Sequence, residues 1–411
     1  MLNAAQEARG IPVAEARGLA AHSTAALRSR GLCVGVRRLV LTNFRNYRSA
    51  RLDLDAGPVV LTGPNGAGKT NLLEAISFLS PGRGLRNARL GEIDRRDGTA
   101  EPGGSPWAVA ATIETHRGSV RIGTGRESAE DERRVVRIDG EPARGQAALA
   151  ECLGVLWLTP QMDRLFLEGP GGRRRFLDRL VLGLDPAHAG RVARYEHAMR
   201  ERSRLLRDGR ADPAWLAALE EVMSEQGVAV AAARREAVER LDKVCAEADG
   251  PFPRARLTLD GTVEAWLGAM PALAVEVKLK AALRENRPAD AASGGAGLGP
   301  HRSDLGVTHA EKGVPAEQAS TGEQKALLIS IVLAQAALQR EIRGEPPILL
   351  LDEVAAHLDS GRRDALFERL AGLESQAWLT GTEANLFAPL RPTARFVSVA
   401  DGALSETAMS T

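Results

Sequence analysis

Ser320–Leu338 reads STGEQKALLISIVLAQAAL: a hydroxyl, a glycine and a carboxamide, then an apolar helix. Such an opening leaves backbone amides at a helix N-terminus, where phosphate is received. The chain holds a second start of this kind. Gly63–Thr70, GPNGAGKT, fits G-x-x-x-x-G-K-[ST], with the apolar run PVVLT before it and an amphipathic pattern after it, through Leu72, Leu73, Ala75, Ile76 and Leu79. Gly63, Gly66 and Gly68 let amides face phosphate oxygens, and the binding stretch takes in Pro64, Asn65, Ala67 and Asn71 as well. Lys69 is expected to meet the β- and γ-phosphates of ATP and Thr70 to supply a Mg²⁺ ligand.

Pro346–Asp359, PPILLLDEVAAHLD, reads as a buried strand that ends in two carboxylates. Placed parallel to and next to the strand before the Gly-rich loop, it presents both acids to the nucleotide. Asp352 is expected to hold Mg²⁺ and Glu353 to polarise the attacking water, so Lys69 and Glu353 form the catalytic pair.

The chain has 411 residues, 44% of them hydrophobic, enough to bury a large core in more than one domain. No apolar run approaches the roughly 18 residues of a membrane span. Three separated cysteines, Cys33, Cys152 and Cys245, form no metal-ligand pattern, and a reduced cytoplasm is the expected compartment. The net charge of +1 hides a skew: only six of the 54 basic residues are lysine. Lys69 is therefore informative, since a compact ammonium fits where an arginine fork would not.

Along the chain, residues 1–33 are rich in Ala, Arg and Glu and read as a disordered extension. Short alternating strands follow from Val34, with antiparallel decoration through WAVAATIET, SVRIGTG and RRVVRIDG. After Pro160 the pattern turns helical. One helix ends at Gly209, and Asp212 with Pro213 gives the cap and first turn of a second that reaches about Glu247, the two forming an antiparallel pair. PADAASGGAGLG reads as a flexible link back to the core. The expected division is a head of residues 34–160 and 295–400, a helical arm of 161–294 and a tail of 401–411.

A P-loop kinase or GTPase has no second helix start of the Ser-x-Gly-x-Gln type shortly before its magnesium strand, whereas ABC-type ATPases do. The expected fold is thus α/β, an ABC-type P-loop ATPase head with a mixed sheet, antiparallel β decoration and an inserted α-helical arm. In that class Ser320, Thr321, Gly322, Glu323 and Gln324 form a signature that caps the γ-phosphate held by the partner protomer. A plain cap of a core helix is the competing reading of Ser320.

LVLTNFRNY (39–47), GPNGAGKTNLLEAI, RRRFLD (173–178), GPHRSDL (299–305), STGEQK and LLLDEVAAHLD together resemble the RecF family of recombination mediators, related to Rad50 and SMC heads. The resemblance covers roughly Val34 to Val399. It implies an ATP-gated dimer that binds duplex DNA at single-strand gaps, and with RecR helps place RecA. It implies slow ATP hydrolysis that serves release, and it puts Asp359 in a D-loop touching the partner's site. Gln161, after LTP, is the candidate Mg²⁺-sensing glutamine, although RecF-like proteins often carry an acid near this point. Thr382 falls where transporter ATPases keep a histidine. His301 and Arg302 read as a turn beside the nucleotide.

Candidate DNA-phosphate contacts are Arg37, Arg38, Arg45, Arg48, Arg83, Arg86, Arg173, Arg174 and Arg175, each with a solvated face as its alternative. Aromatics make up only 4% of the chain, which favours duplex backbone over stacked single strands. The rival functions are a transporter's ATPase subunit, an SMC-like tether, for which the arm is short, and a small-molecule kinase.

Overall fold

The computed structural model describes residues 34–406, apart from 56, 96–104, 129, 132, 210 and 211. The expected N-terminal extension lies outside the described residues, as do 407–411.

The sheet that carries the Gly-rich loop contains β3 (Val59–Thr62), β8 (Val155–Leu158), β12 (Ile348–Leu351), β13 (Ala377–Gly381), β14 (Arg395–Ala400) and β15 (Ala403–Glu406). Its order is β15-β14-β3-β13-β12-β8, parallel except for the β14/β15 hairpin. A parallel strand buried on both faces reads as a continuous apolar run, as ILLL and VLWL do. Successive side chains feed two different cores. Val60, Leu156, Leu158, Leu349 and Leu351 point into one, and Val59, Leu61, Val155, Ile348 and Leu350 into the other.

The second core lies against a six-stranded antiparallel sheet, in the order β2-β1-β4-β5-β6-β7. It runs from β1 (Gly35–Phe44) and β2 (Tyr47–Asp53) through β4 (Ala108–Thr115), β5 (Gly118–Gly125), β6 (Val135–Ile138) and β7 (Glu141–Pro142). In β1, Val36 and Leu39 are both buried although three positions apart. A register shift between Val36 and Arg38 reconciles them, the extra residue resetting the alternation. Between the two sheets lies α1 (Lys69–Ser77).

The first core is built around α8 (Thr321–Arg343), which is buried almost throughout from Gln324 to Gln339. α2 (Pro170–Leu184), α9 (Ser360–Gly372) and the C-terminal half of α4 (Pro213–Ala246) pack around it. α3 (His188–Asp208) ends at left-handed Gly209, and Asp212 caps α4 by accepting from the Ala214 amide. α4 is 34 residues long, on the order of 50 Å. That length serves two cores. Met223, Val228 and Ala231 pack in a third cluster with Tyr195, Val275 and Leu279, while Ala237, Val238 and Leu241 enter the head.

Three expectations need correction here. The segment 255–293 is not a bare continuation of the helical pair: β9 (Ala255–Asp260) pairs with β10 (Asp304–His309), which also pairs with β11 (Val314–Pro315), and α5 (Thr262–Ala269) and α6 (Ala272–Glu285) follow. A three-stranded sheet therefore joins the stretch assigned to the arm with the stretch assigned to the head. The link after α6 is not flexible throughout, because Arg287–Ser293 forms α7 and its Asp290 is buried against Arg202. Nor are residues 401–406 a bare tail, since β15 completes a hairpin on β14. Apolar pattern alone does not reveal these elements, because their burial comes from partners distant in sequence.

Candidate nucleotide site and signature helix

β3 delivers the chain into Gly63–Gly68, with φ of 145°, 80° and 116° at Gly63, Gly66 and Gly68. At Gly63 a Cβ would lie 2.1 Å from the Val399 carbonyl, so only glycine fits against β14. α1 starts with Gly68 as its cap and has no side-chain cap, so its first amides face the loop. The Lys69 ammonium lies over this bowl and donates to the carbonyls of Gly63 (2.7 Å) and Pro64 (2.9 Å). Burial lowers its pKa, opposed by the charges of Glu353 and Asp352.

The loop is braced from β1 and β2. Asn46 donates to the Ala67 carbonyl (3.0 Å), Tyr47 donates to the Gly68 carbonyl (3.0 Å), and Asn71 donates to Asn46 (2.8 Å). Asn71 thus serves as a strut for the loop. The Asp401–Gly402 turn closes on the same place, the Gly402 amide reaching Ala67 O at 3.4 Å.

Thr70 Oγ1 donates to the Asp352 carboxylate, 3.0 Å from each oxygen, which brings the two expected Mg²⁺ ligands together. The strands, however, are not adjacent as expected. β13 lies between β3 and β12, and it contributes Thr380, a residue the motifs did not single out. Thr380 Oγ1 donates to Asp352 (2.7 Å) and accepts the Glu353 amide (2.8 Å). Its signal in the sequence was a hydroxyl at the end of the apolar strand AWLTG. Burial raises the Asp352 pKa above the ordinary carboxylate value, with the two threonine hydrogen bonds working against it. A buried carboxylate whose side-chain donors among the described residues are hydroxyls suits a divalent metal. Glu353 follows with φ 53°, left-handed for a residue other than glycine.

Ser320, Thr321 and Gly322 are exposed at the start of α8. Ser320 caps this helix and forms a reciprocal box with Glu323, which accepts from the Ser320 amide at 3.0 Å. Lys312, and then Ser320, hold the Glu323 carboxyl down to about 2. Gln324 is buried and donates to Ala319 O (2.9 Å). Asp359 caps α9 by accepting the Arg362 amide. Gln161 is exposed at the start of the turn Pro160–Arg164 after β8, and its Oε1 accepts from Thr159 at 3.4 Å. Thr382 is exposed just past β13.

Several of the arginines proposed for DNA are engaged within the chain. Arg45 and Arg86 clamp the fully buried Glu74 of α1 (2.7 and 2.8 Å), and Arg86 also donates to Asn71. Arg173 makes a two-pronged pair with Asp304, 2.7 Å at each prong, and Arg174 donates to Ser303 O. Arg38 pairs with Asp53 on the surface. The first four tie parts of the fold together, which sequence position alone does not disclose, while the exposed Arg38 pair adds little. Arg48, Arg83 and Arg175 are exposed and Arg37 is half-buried. His301 is not beside the nucleotide: its ring bonds Tyr195 of α3 (2.7 Å) and the Ala296 carbonyl (2.8 Å).

Residues 35–403 match the family model described as the RecF/RecN/SMC N terminal domain. The DNA replication and repair protein RecF of Mesorhizobium japonicum is 50% identical over 375 residues, 90% of this chain and 98% of that protein. The chain is a member of the RecF family. The RecF of Rhizobium etli is likewise 50% identical, over 372 residues. Among solved structures, the recombination mediator protein RecF-ATP of the RecFOR pathway superposes with a TM-score of 0.78 at 21% identity, covering 92% of this chain and all of that one. The Smc head of Pyrococcus furiosus gives 0.51 at 18% identity, covering 91% of this chain and 96% of that one. The RecF-family fold is thus an ABC-type ATPase head with a helical arm, shared at greater distance with SMC heads.

Proposed function

We propose that this RecF-family protein is an ATP-dependent DNA-binding dimer of recombinational repair and replication restart. The observation that carries the reading is the pairing of Thr70 with Asp352 beneath Lys69, combined with an exposed Ser320–Gly322. In this reading the glycine-loop amides and Lys69 hold the β- and γ-phosphates of ATP, and Thr70 and Asp352 hold Mg²⁺. Bound Mg²⁺ offsets phosphate charge. Glu353 orients a water and takes its proton, and Thr380 fixes the backbone that aims Glu353. Ser320 and the free amides of the first turn of α8 serve the partner's nucleotide, and Asp359 stands at the same interface. Gln161 remains a candidate sensor of the metal.

Two such nucleotides complete a head-to-tail dimer. The dimer binds duplex DNA, with Arg37 and Arg48 offered to phosphates, at single-strand gaps, where with RecR it helps place RecA. Hydrolysis is slow and releases DNA. The test is light scattering with and without ATP and Mg²⁺, then with a gapped duplex. A monomer that becomes a dimer only with ATP and then retains the duplex supports the reading. A mass indifferent to ATP overturns it.

A further inference from the structure

A cavity of about 650 Å³, lined by Gln161 and Arg86 but by neither Lys69 nor Asp352, opens where the segment after α1 meets α2 and α3. Its size is that of a ligand pocket. Trp157, Met162, Leu165, Phe176, Leu182 and Val192 give it an apolar wall. Arg179 lines it too, and its surroundings are unusual. The guanidinium carbon lies 4.2 Å from the Trp157 ring centroid and 5.4 Å from that of Phe176. Among the described residues its hydrogen bonds are long ones, 3.4 Å to Trp157 O and 3.6 Å to Met162 Sδ. Nε is buried without a partner, and no ion pair of Arg179 is found among the described residues.

The nearest acid in sequence cannot serve it. Asp178 lines the same cavity but is held by both prongs of Arg234 (2.8 Å each) and by His188 Nε2 (2.8 Å). His188 is 1% exposed, and its Nδ1 has no partner. A guanidinium out of water without an anion is costly, and a carboxylate offers it a planar, two-pronged match. Burial pulls the Arg179 pKa down to about 9, as expected for a cation lacking compensation.

We infer that this cavity is a docking site for an acidic, apolar peptide segment of a partner protein, one carboxylate of which reaches Arg179 while neighbouring apolar side chains fill the Trp157–Phe176 wall. Charge complementarity selects this occupant. Arg83 and Arg175 are exposed at the cavity and offer further carboxylates a place, which a single small acid would not use. Glu168 and Glu196 also line it and limit the negative charge it takes, so one or two carboxylates among apolar side chains fit it better than a continuous polyphosphate.

The test uses the full chain without nucleotide, so that its outcome is independent of the ATP reading. Fluorescein-labelled nonapeptides carrying Asp or Glu beside Leu or Phe are titrated by anisotropy, in parallel with a set in which every acid is the corresponding amide. Saturable binding by acidic members, at least about tenfold tighter than by their amide forms, is expected. Ala193→Trp, at an exposed position on the α3 wall, should weaken binding by about tenfold or more, as should Arg179→Gln, with partial recovery in Arg179→Lys. Should Arg179→Gln not fold, Ala193→Trp and the surface change Arg175→Gln carry the test. Equal binding by the amide set, binding unaffected by Ala193→Trp, no binding by any acidic member, or displacement of the peptide by an oligothymidylate each overturns the proposal.

Discussion

At the scale of single residues, the site concentrates unfavourable local choices on two neighbours. Glu353, at φ 53°, donates its amide hydrogen to Thr380 Oγ1, and Asp352 is buried beside it with hydroxyls as its side-chain donors among the described residues. Such features persist when the surroundings impose them, and they cluster at functional sites. Because burial raises the Asp352 carboxyl, the folded state binds more protons than the unfolded one above the ordinary carboxylate pKa. Stability is therefore lost as pH rises through that window, and at neutral pH the bare charge is a penalty that a bound cation relieves. Asp352→Asn should raise the unfolding midpoint of the nucleotide-free protein by a few degrees at pH 7.5 and abolish the further rise that ATP with Mg²⁺ gives the wild type. Differential scanning fluorimetry measures both. A variant less stable than wild type without nucleotide would show that Asp352 is held by something other than an awaited cation.

Elements show where pattern sufficed and where it did not. Asp212, Gly209 and Pro213 marked the ends of α3 and α4 because caps and breakers act within a few residues. α7 was hidden in a Gly- and Ala-rich stretch, since what orders it is remote: Arg202 of α3 bonds Glu220 (2.9 Å), Asp290 (2.7 Å) and Leu283 O (2.6 Å), all buried, with Arg287 balancing Glu220. Taking one member from a buried charge network leaves the others unpaired. Arg202→Met should cost about 3–5 kcal/mol in urea unfolding, and hydrogen exchange should quicken in α7 before it does in α8. Loss of less than about 1 kcal/mol would mean that the network reorganises around the missing guanidinium.

For the whole molecule, the decisive feature is the contrast in build between two helix starts. The start of α1 is uncapped and braced by Asn46, Tyr47 and Gly402, while that of α8 is exposed and capped by its own Ser320. If the second serves a partner, Ser320→Arg leaves ATP binding to the monomer intact and abolishes ATP-dependent dimerisation, read by filter binding of labelled ATP alongside light scattering. Loss of ATP binding by the monomer would instead place Ser320 in the nucleotide site of its own chain. The α8 box survives to low pH because Lys312 and Ser320 hold Glu323 ionised to about 2, so a dimer defect at neutral pH would not stem from titration of Glu323.

The sequence by itself determined the Gly-rich loop, the paired acids, the capped start of α8 and the family, because each is a local pattern whose chemistry is written in adjacent residues. It also marked the long helices of the arm through their caps. Only the tertiary structure decided that β13 stands between the two motif strands and lends Thr380 to Asp352. It alone turned Arg45, Arg86 and Arg173 from DNA candidates into internal ties, and it alone left Arg179 facing a cavity without an anion. The physical reason is common to all of these. Whether a charge faces water, a partner or an empty space depends on residues far apart in the chain, which only packing brings together.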